Sequence, residues 1–283
     1  MKIIRTERSG IRKTYLISEN RVYLIQGAME YLLSDRSESN IIAEVTVDTN
    51  SFLNMDSKEK VIIPYDPPEI WGSGISYYIS RQRYTDPNVA KIGDRSIYEV
   101  VYDAERPEIF FKGTPRCAVP HNGTIRIRRD SEWTLPEPEL AVVINSNGQI
   151  LAYTIFDDVS ARDIEAQNPL YLPESKIYDG SSAFGPYLVT PDEFGDPYNK
   201  KISMRIYRAG KIFFEGYTST KNMKTRIEKQ IRYLLVDNSI PDGTILTTGT
   251  SIIPGKDQGL RSGDVVEISI EGIGTLITTV IKS

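Results

Sequence analysis

The sequence predicts a β-rich α+β protein, a β-roll or sandwich with a small N-terminal domain. Three observations predict it. Strand-type segments bounded by turn residues recur along most of the 283 residues, one amphipathic helix interrupts them late, and Pro64-Tyr-Asp-Pro-Pro68 breaks the chain early. Consecutive prolines force extended backbone. The boundary is therefore expected near residues 60–68, with a small domain over 1–65 and the main domain over 66–283.

The elements follow in chain order. Thr14-Tyr-Leu-Ile-Ser and Arg21-Val-Tyr-Leu-Ile read as paired strands about a Glu19-Asn20 turn, and Gly27 to Leu33 as a short helix. Asn147-Gly148 is the strongest hairpin signal, because a two-residue type I′ turn needs positive φ at both positions. Met223, Ile227, Ile231, Leu234 and Leu235 recur at helical spacing between Lys221 and Val236. Pro241-Asp-Gly243 turns the chain into a strand at Thr244. Val265 to Ile270 and Thr275 to Ile281 form a closing hairpin through Glu271-Gly-Ile-Gly274.

Composition removes several functions. With 34 basic and 38 acidic residues the net charge is -4, which gives no clustered positive footprint for nucleic acid. One His and one Cys exclude an internal disulfide and any zinc site rich in those ligands. His121, in Pro120-His-Asn-Gly123, and the lone Cys117 both read as structural residues. No signal-peptide core and no apolar run of membrane length is found, so no membrane partner and a cytoplasmic location are expected. Catalysis must then rest on carboxylates, lysines, hydroxyls and a hard metal ion.

The segment from Pro136 to Asp158 locates such chemistry. If Asn147-Gly148 is the loop, cross-strand partners sum to 295, so Glu139 faces Phe156 and Glu137 faces Asp158. Glu137, Glu139 and Asp158 then share one face with Ala141, Val143, Ala152 and Thr154, while Asp157 points the other way. A three-residue loop would exchange Asp157 for Asp158. Three like charges at the end of an apolar face repel unless a cation or bound protons relieve them. Oxygen-only ligands favour Mg²⁺, Mn²⁺ or Ca²⁺ over zinc. The bland alternative is a solvated sheet edge.

The same residues resemble the fumarylacetoacetate hydrolase family over nearly all of residues 70–283. Glu137-Pro-Glu139-Leu-Ala-Val-Val-Ile, Asp157-Asp158-Val-Ser-Ala-Arg-Asp163, Lys176-Ile-Tyr-Asp with Phe184-Gly-Pro-Tyr-Leu-Val-Thr, Thr248-Gly249-Thr250, and Gly263-Asp264-Val-Val-Glu with Gly272-Ile-Gly274 match its blocks in order. The resemblance implies a fumarylacetoacetate hydrolase-like β-roll or sandwich, a homo-oligomer (dimer or tetramer), and Mg²⁺ or Mn²⁺ on Glu137, Glu139 and Asp158. It also implies that Lys176 lies beside the metal as an acid-base group, its pKa lowered by that cation and by burial.

One departure bears on the reaction. Where C–C hydrolases of the family carry a water-activating His and Glu, this chain has Ser80 and Arg83. The resemblance therefore implies Mg²⁺-dependent dehydration of a small-molecule 2-oxo sugar acid, a five-carbon 2-keto-3-deoxy compound. The alternatives are an acylpyruvate-type C–C hydrolase, a 2-oxo acid decarboxylase or isomerase, or a non-catalytic metal-dependent carbohydrate-binding module. Glu108 is a candidate base, and Arg81, Arg83 and Thr250 are candidate substrate anchors. Gly249 offers close backbone access for a carboxylate, and Ser160 with Asp163 reads as a helix-capping pair. Gly249 to Lys256 has one residue too many for a phosphate loop.

Overall fold

The structure, a computed structural model, describes residues 1–19, 21–34, 38–45, 59–78 and 91–283. Two sheets dominate. In the larger one, of twelve strands, the hairpin Pro138–Ile144 and Ile150–Asp158 lies at the centre. Ser182–Val189 flanks it on one side; Thr244–Thr247, Ile70–Gly74 and Glu108–Gly113 follow on the other. The smaller sheet has five strands, with Lys201–Arg208 and Val265–Ile270 inside and Lys211–Ser219 at an edge.

The sheets pack face to face, as apolar faces of sheets must. Leu140, Val142, Ile144, Tyr153 and Ile155 meet Ile202, Met204, Ile206, Val266 and Ile268 in one core. The opposite face of the same hairpin, Ala141, Val143, Ala152 and Phe156, is covered by Ile3, Leu16, Ala28, Tyr31 and Leu32. Ala28, Tyr31 and Leu32 belong to the short helix Ala28–Leu33, close to its expected bounds. Both faces of the central strands are therefore dry, and every residue of Pro138–Ile144 is buried. The strand-rich α+β class follows from this packing.

The N-terminal strands continue the large sheet. Lys2–Arg8, which the sequence reading did not find, pairs with Ser182–Val189 through Lys2↔Val189 and Ile3↔Leu188. Ile11–Ser18, Arg21–Ile25 and Ile41–Val45 extend it outward. We propose the division between residues 65 and 66 as one of sequence and not of packing, because this shared sheet and core cross it.

Two elements differ from expectation. The late helix spans Ile227–Leu234 and not Lys221 onward, because Arg226 is extended (φ -61, ψ 149) and Met223 bridges to Tyr77. The closing hairpin, Val265–Ile270 with Gly274–Lys282, lies where expected.

The central hairpin reaches its register by another route. Asn145 N bonds Gln149 O at 3.0 Å and Gly148 N bonds Asn145 O at 2.9 Å, closing a three-residue loop. Gly148 has φ +78 and Asn147 is not among the positive-φ residues, so the turn is not type I′. A three-residue loop should invert the facing. A bulge prevents it: Ile144 pairs with Ile150 but Val143 pairs with Ala152, which leaves Leu151 over. Beyond the bulge Glu139 faces Phe156, as the simple count has it.

Candidate active site and metal centre

At the open end of this hairpin Glu137, Glu139 and Asp158 converge. They are 5%, 2% and 1% exposed, and one carboxylate oxygen from each lies within 4.8 Å of the others. Asp157 points away, as parity requires. Its Oδ1 accepts from Glu137 N at 2.9 Å, so it fixes the backbone that carries a cluster member. Glu139 accepts from Gly249 N at 2.7 Å. Gly249 has φ +88, and a Cβ there would lie 2.0 Å from Ser76 Oγ, so a glycine is needed for this approach. The carboxylate that Gly249 receives is Glu139's own.

Two lysines answer the acids. Lys176, at the end of the short helix Leu172–Lys176, places Nζ 2.7 Å from Glu137 Oε2, 2.8 Å from Asp158 Oδ2 and 2.6 Å from Ser160 Oγ. Lys112, on Glu108–Gly113, places Nζ 3.0 Å from Asp158 Oδ1. Burial would push Asp158 up, but these ammonium groups overcome it and hold its carboxyl below the usual range. Burial, reinforced by Asp158, keeps Glu139 well above that range. For Lys176 burial pulls downward, yet the Asp158 and Glu137 charges prevail and raise it well above an ordinary lysine. The expected lowering is not found, because two carboxylates meet the ammonium directly.

The cluster opens into a cavity also lined by Glu108, Phe110, Arg162, Glu165 and Thr250. Glu108 is pushed up to about 7 by burial, with the Glu165 charge adding to it. Phe110 turns its ring toward Lys176 Nζ, 5.4 Å from the centroid. Arg162 pairs with Glu165 at 2.5 Å on one wall. Thr250 Oγ1 accepts from Ile252 N at 3.2 Å. Arg81 and Arg83, like Ser80, lie outside the described residues.

One reading changes, and one residue is added. Ser160 does not cap the following helix. Its hydroxyl donates to Glu137 Oε2 at 2.9 Å, and the helix Arg162–Gln167 has no side-chain cap. Asp163 instead receives Ser131 Oγ and Glu132 N, both at 2.7 Å. Lys112 was missed; it follows Glu108 and Phe110 at two-residue spacing, but a bulge that sets Ile70 opposite Gly113 and Trp71 opposite Phe111 leaves it over. His121 and Cys117 stay outside the cluster: His121 Nδ1 accepts from Ile277 N at 3.2 Å, and Cys117 is a buried free thiol.

This donor set suits a hard divalent ion. It is all oxygen and buried, and its three carboxylates face only two ammonium groups. Removing any member would leave its partners charged and dry.

The chain resembles known proteins over its whole length. A family model described as fumarylacetoacetate (FAA) hydrolase C-terminal matches residues 88–281. A 2-dehydro-3-deoxy-D-arabinonate dehydratase from Saccharolobus solfataricus is 54% identical, the match covering 100% of this chain and 97% of that one. A probable 2-keto-3-deoxyxylonate dehydratase from Haloferax volcanii is 39% identical over 86% of this chain and 83% of its own. A solved 2-keto-3-deoxy-D-arabinonate dehydratase, complexed with magnesium and 2,5-dioxopentanoate, superposes with a TM-score of 0.92 at 52% identity, covering 100% of this chain and 99% of that one. Sequence blocks, fold and buried carboxylates thus converge, and the chain belongs to the fumarylacetoacetate hydrolase family.

Proposed function

We propose that this protein is a Mg²⁺-dependent hydro-lyase that removes water from 2-keto-3-deoxy-D-arabinonate to give 2,5-dioxopentanoate. One observation carries the reading: three buried carboxylates meet a protonated lysine in a cavity that also holds a carboxyl poised near neutrality. Full-length likeness to a protein named for that substrate supports it.

Glu137, Glu139 and Asp158 would hold the ion. When bound, Mg²⁺ supplies Lewis-acid polarisation of the 2-oxo group, which acidifies the protons on carbon 3. The chain's own groups move the protons. Glu108, half ionised near pH 7, serves as the base at carbon 3. Lys176, kept protonated, serves as the acid for the departing carbon-4 hydroxyl. Both groups are pushed upward, which leaves Glu108 as a carboxyl titrating near 7 and Lys176 as an ammonium that stays protonated. A later proton shift from carbon 5 to carbon 3, then tautomerisation, gives the 5-aldehyde. Thr250 sits in the wall beside the acids, where its hydroxyl serves the substrate; Arg81 and Arg83 are assigned to anchoring on their guanidinium chemistry alone.

We assign the enzyme to the cytoplasm as a homo-oligomer. No described helix is long and apolar enough to cross a membrane. The edge strand Lys211–Ser219 exposes Ile212 and Tyr217, which favours association. Incubation of the purified protein with 2-keto-3-deoxy-D-arabinonate should yield 2,5-dioxopentanoate with Mg²⁺ and almost none after chelation. Pyruvate and a two-carbon fragment as main products would mean C–C cleavage and end the dehydratase reading.

A further inference from the structure

Lys112 is 0% exposed, yet no step above uses it. Its ammonium donates to Val159 O at 3.3 Å, to Ser181 O at 2.9 Å and to Lys176 O, and it faces Asp158 Oδ1 at 3.0 Å. One buried cation thus touches a cluster carboxylate and the backbone of both segments that carry its neighbours. Burying a lysine is costly unless its charge and donors are answered. Here three carbonyls take its donors, and the Asp158 carboxylate answers its charge.

The arrangement divides Asp158. Oδ1 pairs with the Lys112 charge at 3.0 Å without a hydrogen bond, whereas Oδ2 accepts from Lys176, which is also shared with Glu137. Lys112 is tied to three carbonyls, so it stays put. Lys176 has only side-chain acceptors, Glu137, Asp158 and Ser160, and can yield Oδ2.

We propose that Lys112 is a positioning residue for the metal centre: it claims Asp158 Oδ1 permanently and leaves Oδ2 alone for the divalent ion. It also holds the Lys176 carbonyl, so the ion's ligand and the proton donor share one anchor. This rests on the reading that Glu137, Glu139 and Asp158 bind a divalent cation. The sign of its effect separates positioning from simple electrostatics. A cation beside a metal ligand repels the metal, so removing it should tighten binding if charge were all that mattered. If orientation governs, removing it weakens binding.

Mn²⁺ binding, followed by the loss of free-ion electron paramagnetic resonance signal at a temperature well below melting, tests this in wild type, Lys112→Met and Lys112→Gln. The expected result is a Kd raised about tenfold or more for Lys112→Met, the range for groups that orient metal ligands. In an Asp158→Asn background the same substitution should cost little more, because Lys112 acts through that carboxylate. A folded Lys112→Met with unchanged or tighter binding overturns the proposal. Should neither variant fold, a crystal structure of Mn²⁺-loaded wild type decides: the ion should sit on Oδ2 with Lys112 still on Oδ1. An ion on both oxygens, or a displaced Lys112, overturns it. Failure of wild type to bind Mn²⁺ would instead remove the metal-site reading itself.

Discussion

The two sheets use the same period-two alternation and pay different consequences for charge. Lys201–Arg208 in the smaller sheet buries Ile202, Met204 and Ile206 and turns Arg205 outward, where it meets Glu215 at 2.5 Å and Glu267 at 3.4 Å. Arg205 is 37% exposed. Such surface pairs contribute about 0.2–1 kcal/mol each. In the large sheet Pro138–Ile144 has no wet face. The acids at its end need buried partners, Lys176 for Glu137 and Gly249 N for Glu139, and breaking a buried ion pair costs about 3–5 kcal/mol. Acids at alternate positions are therefore uninformative until both faces are known to be covered. In this molecule the N-terminal strands and helix supply the second cover.

The largest expected effect lies on the buried side. Lys176→Met should lower turnover at least about a hundredfold, the lower range for acid-base catalysis, without weakening Mg²⁺ binding. Without its ammonium, Glu137 and Asp158 face each other with only Lys112 left to answer them, so the metal-free variant should melt lower and recover with Mg²⁺. Retained turnover would make Lys176 a bystander. Next comes pH. Glu108, pushed up to about 7, works as a base only when ionised. Turnover should therefore rise as pH passes upward through about 7, and Glu108→Gln should abolish that rise along with most of the rate. A pH–rate profile of unchanged shape in the variant would remove Glu108 from the mechanism. The smallest effect belongs to the outer sheet. Arg205→Met should leave the midpoint of a denaturant titration close to wild type and leave kinetics alone. A loss as large as that from a buried pair would dissolve the contrast between the sheets.

Much of this site was legible because strand parity is a strict rule. Glu137, Glu139 and Asp158 fell on one face by counting, and Asp157 on the other, as found. The count succeeded through two local departures that cancel, a three-residue loop and a bulge at Leu151. A bulge is set by packing along the whole strand, so a turn dipeptide could not announce it. Lys112 and Ser160 were not assigned to the site because their partners come from distant segments, Lys176 and Ser181 for one, Glu137 for the other. The upward shift of Lys176 was equally hidden, since it depends on distances below 3 Å to two carboxylates. The first strand, Lys2–Arg8, alternates charges that obscure its apolar residues, and its pairing partner lies near residue 189.

The central claim is that the buried hairpin face selects the metal ligands. Calorimetric titration of Mg²⁺ into Asp158→Asn and Asp157→Asn tests it most directly, because the two residues are adjacent, alike in chemistry and opposite in facing. Asp158→Asn should lose most of its affinity. Asp157→Asn, whose amide oxygen can still accept from Glu137 N, should stay close to wild type. Equal losses at the two positions would contradict the account.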